Sequence, residues 1–146
     1  MSGTIGDILT DKGSSVVTLG SCAVVAEAAA LLRSRGIGAV VLVDDADDLV
    51  GLLSERDVVH ALAARGSDVL QTRVAEVMST DTPTCTPAAT VDDVAALMTQ
   101  GRHRHVPVLE DGHLVGIVSV GDVVRSRLNA LSETADHLRT YVTGGY

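Results

Sequence analysis

Val50-Gly-Leu-Leu-Ser-Glu-Arg-Asp-Val-Val59 and Val115-Gly-Ile-Val-Ser-Val-Gly-Asp-Val-Val124 are two renderings of one segment. Val, Gly, Ser, Asp and the closing Val-Val recur at the same places, and two further positions exchange one aliphatic residue for another. The offset is 119 − 54 = 65. Upstream, Ala30-Leu31-Leu32 lies over Ala96-Leu97-Met98 at an offset of 66, a difference that one extra residue in the intervening turn (44–48 against 110–113) explains. Ile5-Gly-Asp-Ile-Leu9 lies loosely over Val74-Ala-Glu-Val-Met78. Such self-similarity marks a supersecondary unit that buries its apolar face only against its neighbour. The copies occupy residues 1–70 and 71–130, with 131–146 left as a C-terminal extension.

Each copy carries the same sequence of patterns. A short apolar strand is expected at residues 15–18 and again at 84–86. A helix follows, with Ser21 or Thr90 as N-cap. Its apolar stripe is Val25, Ala28, Ala29 and Leu32 in the first copy and Val91, Val94, Ala95 and Met98 in the second, at i, i+3, i+4, i+7. Strands at 39–43 and 49–53 correspond to strands at 106–109 and 114–118, where Asp111-Gly112 is a hairpin signal. A closing helix begins at Ser54 or Ser119. The fold class is therefore α/β (α+β), two tandem β-α-β-β-α units whose sheets cover one another. The last helix continues further: Val124, Leu128, Leu131, Ala135, Leu138 and Val142 step by 4 and 3 like a helix-packing seam. That stripe either folds back on its own module or, as we expect, joins a homodimer; the end at Thr143-Gly-Gly-Tyr146 is expected to fray.

Composition removes several function classes. Apolar residues make up 46% of the chain, but Trp and Phe are absent and the aromatics are Tyr141 and Tyr146, so small and β-branched side chains build the core. A formal charge of −8 argues against nucleic acid, whose backbone needs a basic face, and against an anionic membrane surface. No apolar run approaches the roughly 18 residues of a spanning helix. The start, MSGTIGDIL, lacks the basic and apolar regions of a signal peptide. Cys22 and Cys85 form neither a disulfide framework nor a CxxC metal pattern. A cytoplasmic protein in a reducing compartment is expected.

Ser54-Glu-Arg-Asp57 and Ser119-Val-Gly-Asp122 each follow an apolar strand and open a helix. Ser-x-x-Asp at such a point is a capping box, in which serine and acid each accept a backbone N–H from the other. It also places an acid where a helix N-terminus faces outward, able to accept hydrogen bonds from vicinal hydroxyls. The two roles are compatible.

Gly51-Leu-Leu-Ser-Glu-Arg-Asp57, Gly116-Ile-Val-Ser-Val-Gly-Asp122 and Arg104-His-Val-Pro-Val108 resemble the signature segments of cystathionine-β-synthase-type (CBS) domains, over roughly residues 3–130. The resemblance implies a pseudo-twofold pair with two clefts and a regulatory module that binds an adenosine-containing ligand (AMP, ADP, ATP, NAD or S-adenosylmethionine) and requires no cofactor. It implies that Asp57 and Asp122, with Ser54 and Ser119 beside them, hold ribose hydroxyls. It assigns Ile37, Gly38 and Ala39 in one copy, and His103, Arg104, His105 and Pro107 in the other, to the adenine-framing strands. Arg56, Arg104 and His105 fall at phosphate-contacting positions, and Val16 and Thr82 complete the set. Clefts in the family are composite, so His103, Arg104 and His105 are expected beside Asp57, and Ile37, Gly38 and Ala39 beside Asp122. The first of these clefts is the more basic and suits a phosphate tail; the second is expected to stay empty or take a less charged ligand. A homodimer and an effector protein are the implied partners; a ligand-free scaffold is the alternative.

Two other chemistries find little support. His103 and His105 share a face of an extended segment, but no acid or cysteine at local spacing completes a metal site, and Arg104 lies between them. No nucleophile elbow, Walker A loop or dinucleotide fingerprint is present, and Asp44, Asp45, Asp47 and Asp48 form a solvated turn.

Overall fold

A computed structural model describes residues 3–144. The first copy contains α1 (Ile5–Lys12), β1 (Thr18–Gly20), α2 (Val25–Arg35), β2 (Ala39–Val43), β3 (Leu49–Ser54) and α3 (Glu55–Arg65). Two 3₁₀ turns, Ser67–Gln71 and Val74–Glu76, lead to α4 (Val91–Gly101), β4 (His105–Glu110), β5 (His113–Ser119) and α5 (Val120–Gly144). β1 runs parallel to β2, and β2 is antiparallel to β3, as β4 is to β5. The ladders break at equivalent places, Leu42/Val43 and Val108/Leu109, and leave Val50 and Val115 bulged. Asp111 and Gly112 both take positive φ (52° and 80°), the conformation that a two-residue hairpin turn requires.

The faces of β2 divide the molecule. Val40 and Leu42 turn toward α2 and α3, joining Val25, Ala28, Leu32, Leu53 and Val58. Ala39, Val41 and Val43 turn the other way, onto Leu114 and Ile117 of the second copy's β5. All five residues of β2 are buried, so the two sheets do cover one another.

The leading segments cross over. Ile5, Ile8 and Leu9 lie in the core of the second copy with Val91, Val94, Val106, Val108 and Val118, while Val74 is buried in the core of the first. Equivalent hydrogen bonds hold both crossings: Ile5 N–H donates to Ala89 O (2.9 Å), and Val74 N–H to Ala23 O (2.8 Å). Each crossing ends on a signature glycine. A Cβ at Gly116 would lie 2.7 Å from Leu9 Cδ2, and one at Gly51 2.6 Å from Met78 Sδ. Glycine stands there because the other copy's segment occupies the side-chain space.

Three expectations need correction. The first strand forms at Thr18–Gly20 rather than 15–18, and its counterpart at 84–86 shrinks to a single bridge between Cys85 and Val108. In the first copy Val41 N–H donates to Val17 O (3.1 Å); Pro107, at the equivalent place, has no N–H and shortens the ladder. Ser21 does not cap α2, whose N-cap is Val24 without a side-chain bond. The carbonyl of Thr72 instead accepts the Val25 N–H (2.9 Å), so the linker takes the place of a capping side chain. Thr90 does cap α4, accepting from Asp93 N–H at 3.1 Å.

Gly66, with φ 77°, ends α3. Leu131 occupies the same place in α5, and the helix continues to Gly144. Leu128, Leu131, Leu138 and Val142 on the expected seam are exposed, so the stripe is not folded back onto the module. Thr143 and Gly144 belong to the helix; Gly145 and Tyr146 lie outside the described residues.

Candidate functional site

Two clefts open where the copies meet. The strand-to-helix turns build them in parallel: Glu55 N–H donates to Gly38 O (3.0 Å) and Val120 N–H to Arg104 O (2.9 Å), tying each closing helix to the start of its copy's inner strand. The capping boxes are present in both. Asp57 N–H donates to Ser54 Oγ (3.1 Å) and Ser54 N–H to Asp57 Oδ2 (2.9 Å). Asp122 N–H donates to Ser119 Oγ (3.2 Å) and Ser119 N–H to Asp122 Oδ2 (2.8 Å). The caps fix both carboxylates at the mouths of the clefts.

The first cleft, of about 570 Å³, brings together Ser54, Arg56, Asp57 and Thr82 with His103, Arg104 and His105. The second, of about 300 Å³, gathers Val16, Ile37, Gly38 and Ala39 with Ser119 and Asp122. Each therefore combines the strand segment of one copy with the acid of the other. Gly38 and His105 line both. A Cβ at Gly38 would lie 2.9 Å from His105 Nε2, so the missing side chain makes room for the imidazole. Pro107 lines neither cleft. Two residues beyond His105 on the same strand face, it lies roughly 7 Å further along and borders a separate hollow of about 210 Å³.

Several cleft residues were not anticipated. Arg102, His60, Ser79 and Asp81 line the first cleft, and Lys12 the second. Arg102 adopts φ 56° as the left-handed C-cap of α4, where α2 has Gly36 at φ 63°. A non-glycine residue in that conformation costs roughly 1–2 kcal/mol. Ser79 and Lys12 arrive on the crossing segments. Carrying the Ile5/Val74 alignment forward places Lys12 over Asp81, a signal available from the repeat itself.

The two acids differ in surroundings. Asp57 Oδ1 receives the Ser79 hydroxyl at 3.4 Å. Asp122 Oδ2 holds the Lys12 ammonium at 2.7 Å. Burial pushes the Asp122 carboxyl up, but the Lys12 and Ser119 hydrogen bonds outweigh it and hold the group below its ordinary value. Burial, aided by the neighbouring Arg104 guanidinium, lowers His105, against the opposing pull of Asp122 and Glu55. Among the described residues Arg56, Arg102 and Arg104 enter no ion pair, and no cluster of three or more His, Cys, Asp or Glu is arranged to hold a metal. No helix among them is long and apolar enough to cross a membrane.

Duplicated α+β units with crossed leading segments and composite clefts define a tandem, two-copy module. The chain matches the CBS domain over residues 5–64 and 74–129, and it belongs to that family. It is 32% identical over 153 residues to the mitochondrial CBS domain-containing protein CBSX3 of Arabidopsis thaliana, covering 99% of this chain and 74% of that one. The crystal structure of the CBS-domain containing protein ATU1752 from Agrobacterium tumefaciens superimposes with a TM-score of 0.84 at 42% identity, over 87% of this chain and 95% of that one. The CBS domain pair of protein MJ0100, solved in complex with 5′-methylthioadenosine and S-adenosyl-L-methionine, gives a TM-score of 0.76 at 29% identity, over 86% of this chain and 95% of that one.

Proposed function

We propose that the protein is a cytoplasmic, non-catalytic sensor that binds a phosphate-bearing adenosine nucleotide in the first cleft and passes occupancy to an effector protein as a homodimer. One observation carries the reading: the first cleft joins Asp57 of one copy to His103, Arg104 and His105 of the other. Asp57 would accept the ribose hydroxyls, and Arg56, Arg102 and Arg104, free of carboxylate partners, would meet the phosphates. The strained conformation of Arg102 fits a residue kept for its charge. The adenosyl ligands of the MJ0100 pair support the ligand class; the three arginines favour a phosphate tail over a thioether. The exposed seam of α5 is the dimer surface, and a ligand shifts the assembly only as far as it binds two states differently.

The complete capping boxes favour a second reading, in which both acids serve the fold and the clefts stay empty. Calorimetric titration with AMP, ATP, NAD and S-adenosylmethionine separates the two. A hydrogen bond to a charged group contributes about 1.5–3 kcal/mol and about 1.4 kcal/mol is tenfold in affinity, so Asp57→Asn is expected to weaken nucleotide binding by at least tenfold while retaining a cap acceptor. No heat from any of the four ligands would support the scaffold.

A further inference from the structure

The two signature acids are equivalent by sequence but not by occupancy. Lys12 reaches from the last turn of α1 into the second cleft, where its ammonium donates to Asp122 Oδ2 and to the Ile117 carbonyl, both at 2.7 Å. The pair is well withdrawn from solvent, the Lys12 side chain being 27% exposed and that of Asp122 13%. In the first cleft the corresponding acid meets only the neutral Ser79 hydroxyl from the crossing segment, at 3.4 Å. A vicinal diol arriving at Asp122 meets a carboxylate already paired with a cation at 2.7 Å; one arriving at Asp57 meets a carboxylate held across the cleft only by a longer bond from an uncharged hydroxyl.

On its other side Lys12, with Asp122, borders a groove of about 430 Å³ between α1 and α5, whose walls carry Asp7, Asp11, Arg125 and Glu133.

We propose that Lys12 is a built-in occupant of the second cleft, closing it to adenosine ligands so that the wild-type chain binds one nucleotide, in the first cleft. This rests on the function proposed above and adds the residue that decides stoichiometry. The cleft's smaller volume and the absence of arginine from its lining agree with a site held shut rather than one tuned to phosphate. α1 does not depend on Lys12 for its position, because Ile5, Ile8 and Leu9 are buried and the Thr4–Asp7 capping box holds its start.

The test is calorimetric titration of the full chain with AMP and, separately, ATP, with thermal melts confirming the fold. Wild type is expected to bind one ligand per chain. Lys12→Met, which keeps the aliphatic stem, is expected to bind two, and Asp122→Asn added to it to return the count to one. Lys12→Gln is the second variant should the first fail to fold. Two ligands in wild type, one in the Lys12 variants, or weaker binding on loss of Lys12 would each overturn the proposal, the last by making Lys12 a phosphate contact. Silence from folded wild type and variants alike would overturn the nucleotide reading itself.

Discussion

The substitution Gly116→Ala places a methyl carbon 2.7 Å from Leu9 Cδ2 and 2.9 Å from Leu9 Cδ1. Leu9 is nearly fully buried, with its core neighbours on the second copy's strands and α4, so it has little freedom to retreat. Overpacking of this kind costs about 1–3 kcal/mol, offset by about 0.5–1 kcal/mol because alanine loses less backbone entropy than glycine. A net destabilisation of about 0–2.5 kcal/mol follows. Leu9→Ala alone is expected to cost about 2–5 kcal/mol through the cavity it leaves. That cavity lies where the new methyl group points, so the double variant should recover about 0.5–3 kcal/mol relative to the sum of the singles. Urea denaturation measures all four proteins, with unchanged m-values confirming that midpoints report stability. Strict additivity would refute the crossed packing, since it would mean that Leu9 and position 116 share no space.

Other consequences concern charge, thiols and assembly. His105 lies below its ordinary value of 6.5 and Asp122 below its ordinary 3.8, so in both cases the unfolded chain binds more protons. Stability is then expected to decline as pH falls below about 6.5 and again below about 4; His105→Gln should remove the upper decline in a pH series of urea midpoints, and a flat midpoint in wild type from pH 7 to 5.5 would contradict the buried imidazole. Cys22 is exposed, whereas Cys85 is buried and its thiol is pushed up to about 11. A thiol-specific reagent at pH 8 should label one cysteine in the native protein and two in urea, and rapid labelling of both in the native state would count against the second copy's core. Leu131 and Leu138 are 67% and 61% exposed on α5; Leu131→Asp with Leu138→Asp is expected to convert a dimer to a monomer in analytical ultracentrifugation, and an unchanged sedimentation coefficient would place the dimer surface elsewhere.

What could be read from the sequence was local or periodic. The strands, the hairpin at Asp111-Gly112 and the capping boxes at Ser54 and Ser119 depend on neighbours within a few residues, and the repeat supplied each pattern twice. The pairing of Asp57 with the His103 to His105 segment came with the family resemblance. The crossing of α1 did not come through: Ile5 to Leu9 align with Val74 to Met78, but which copy's core they enter is a choice made by packing. Lys12 and Ser79 were missed for that reason, and the Thr4–Asp7 capping box that starts α1 was not read either. The shortened strand at Cys85 needed the knowledge that Pro107 faces it across the ladder, and the uncapped start of α2 needed the linker carbonyl of Thr72. Arg102 escaped because its left-handed conformation follows from alignment with Gly36, not from its own identity.

The central claim is that the first cleft takes a nucleotide, and a crystal structure of the chain grown with AMP or ATP tests it most directly. The account predicts the ribose hydroxyls on Asp57, the base beside His103 to His105, and the phosphates among Arg56, Arg102 and Arg104. A nucleotide bound outside that cleft, or crystals at saturating ligand with Asp57 still engaged only by Ser54 and Ser79, would contradict it.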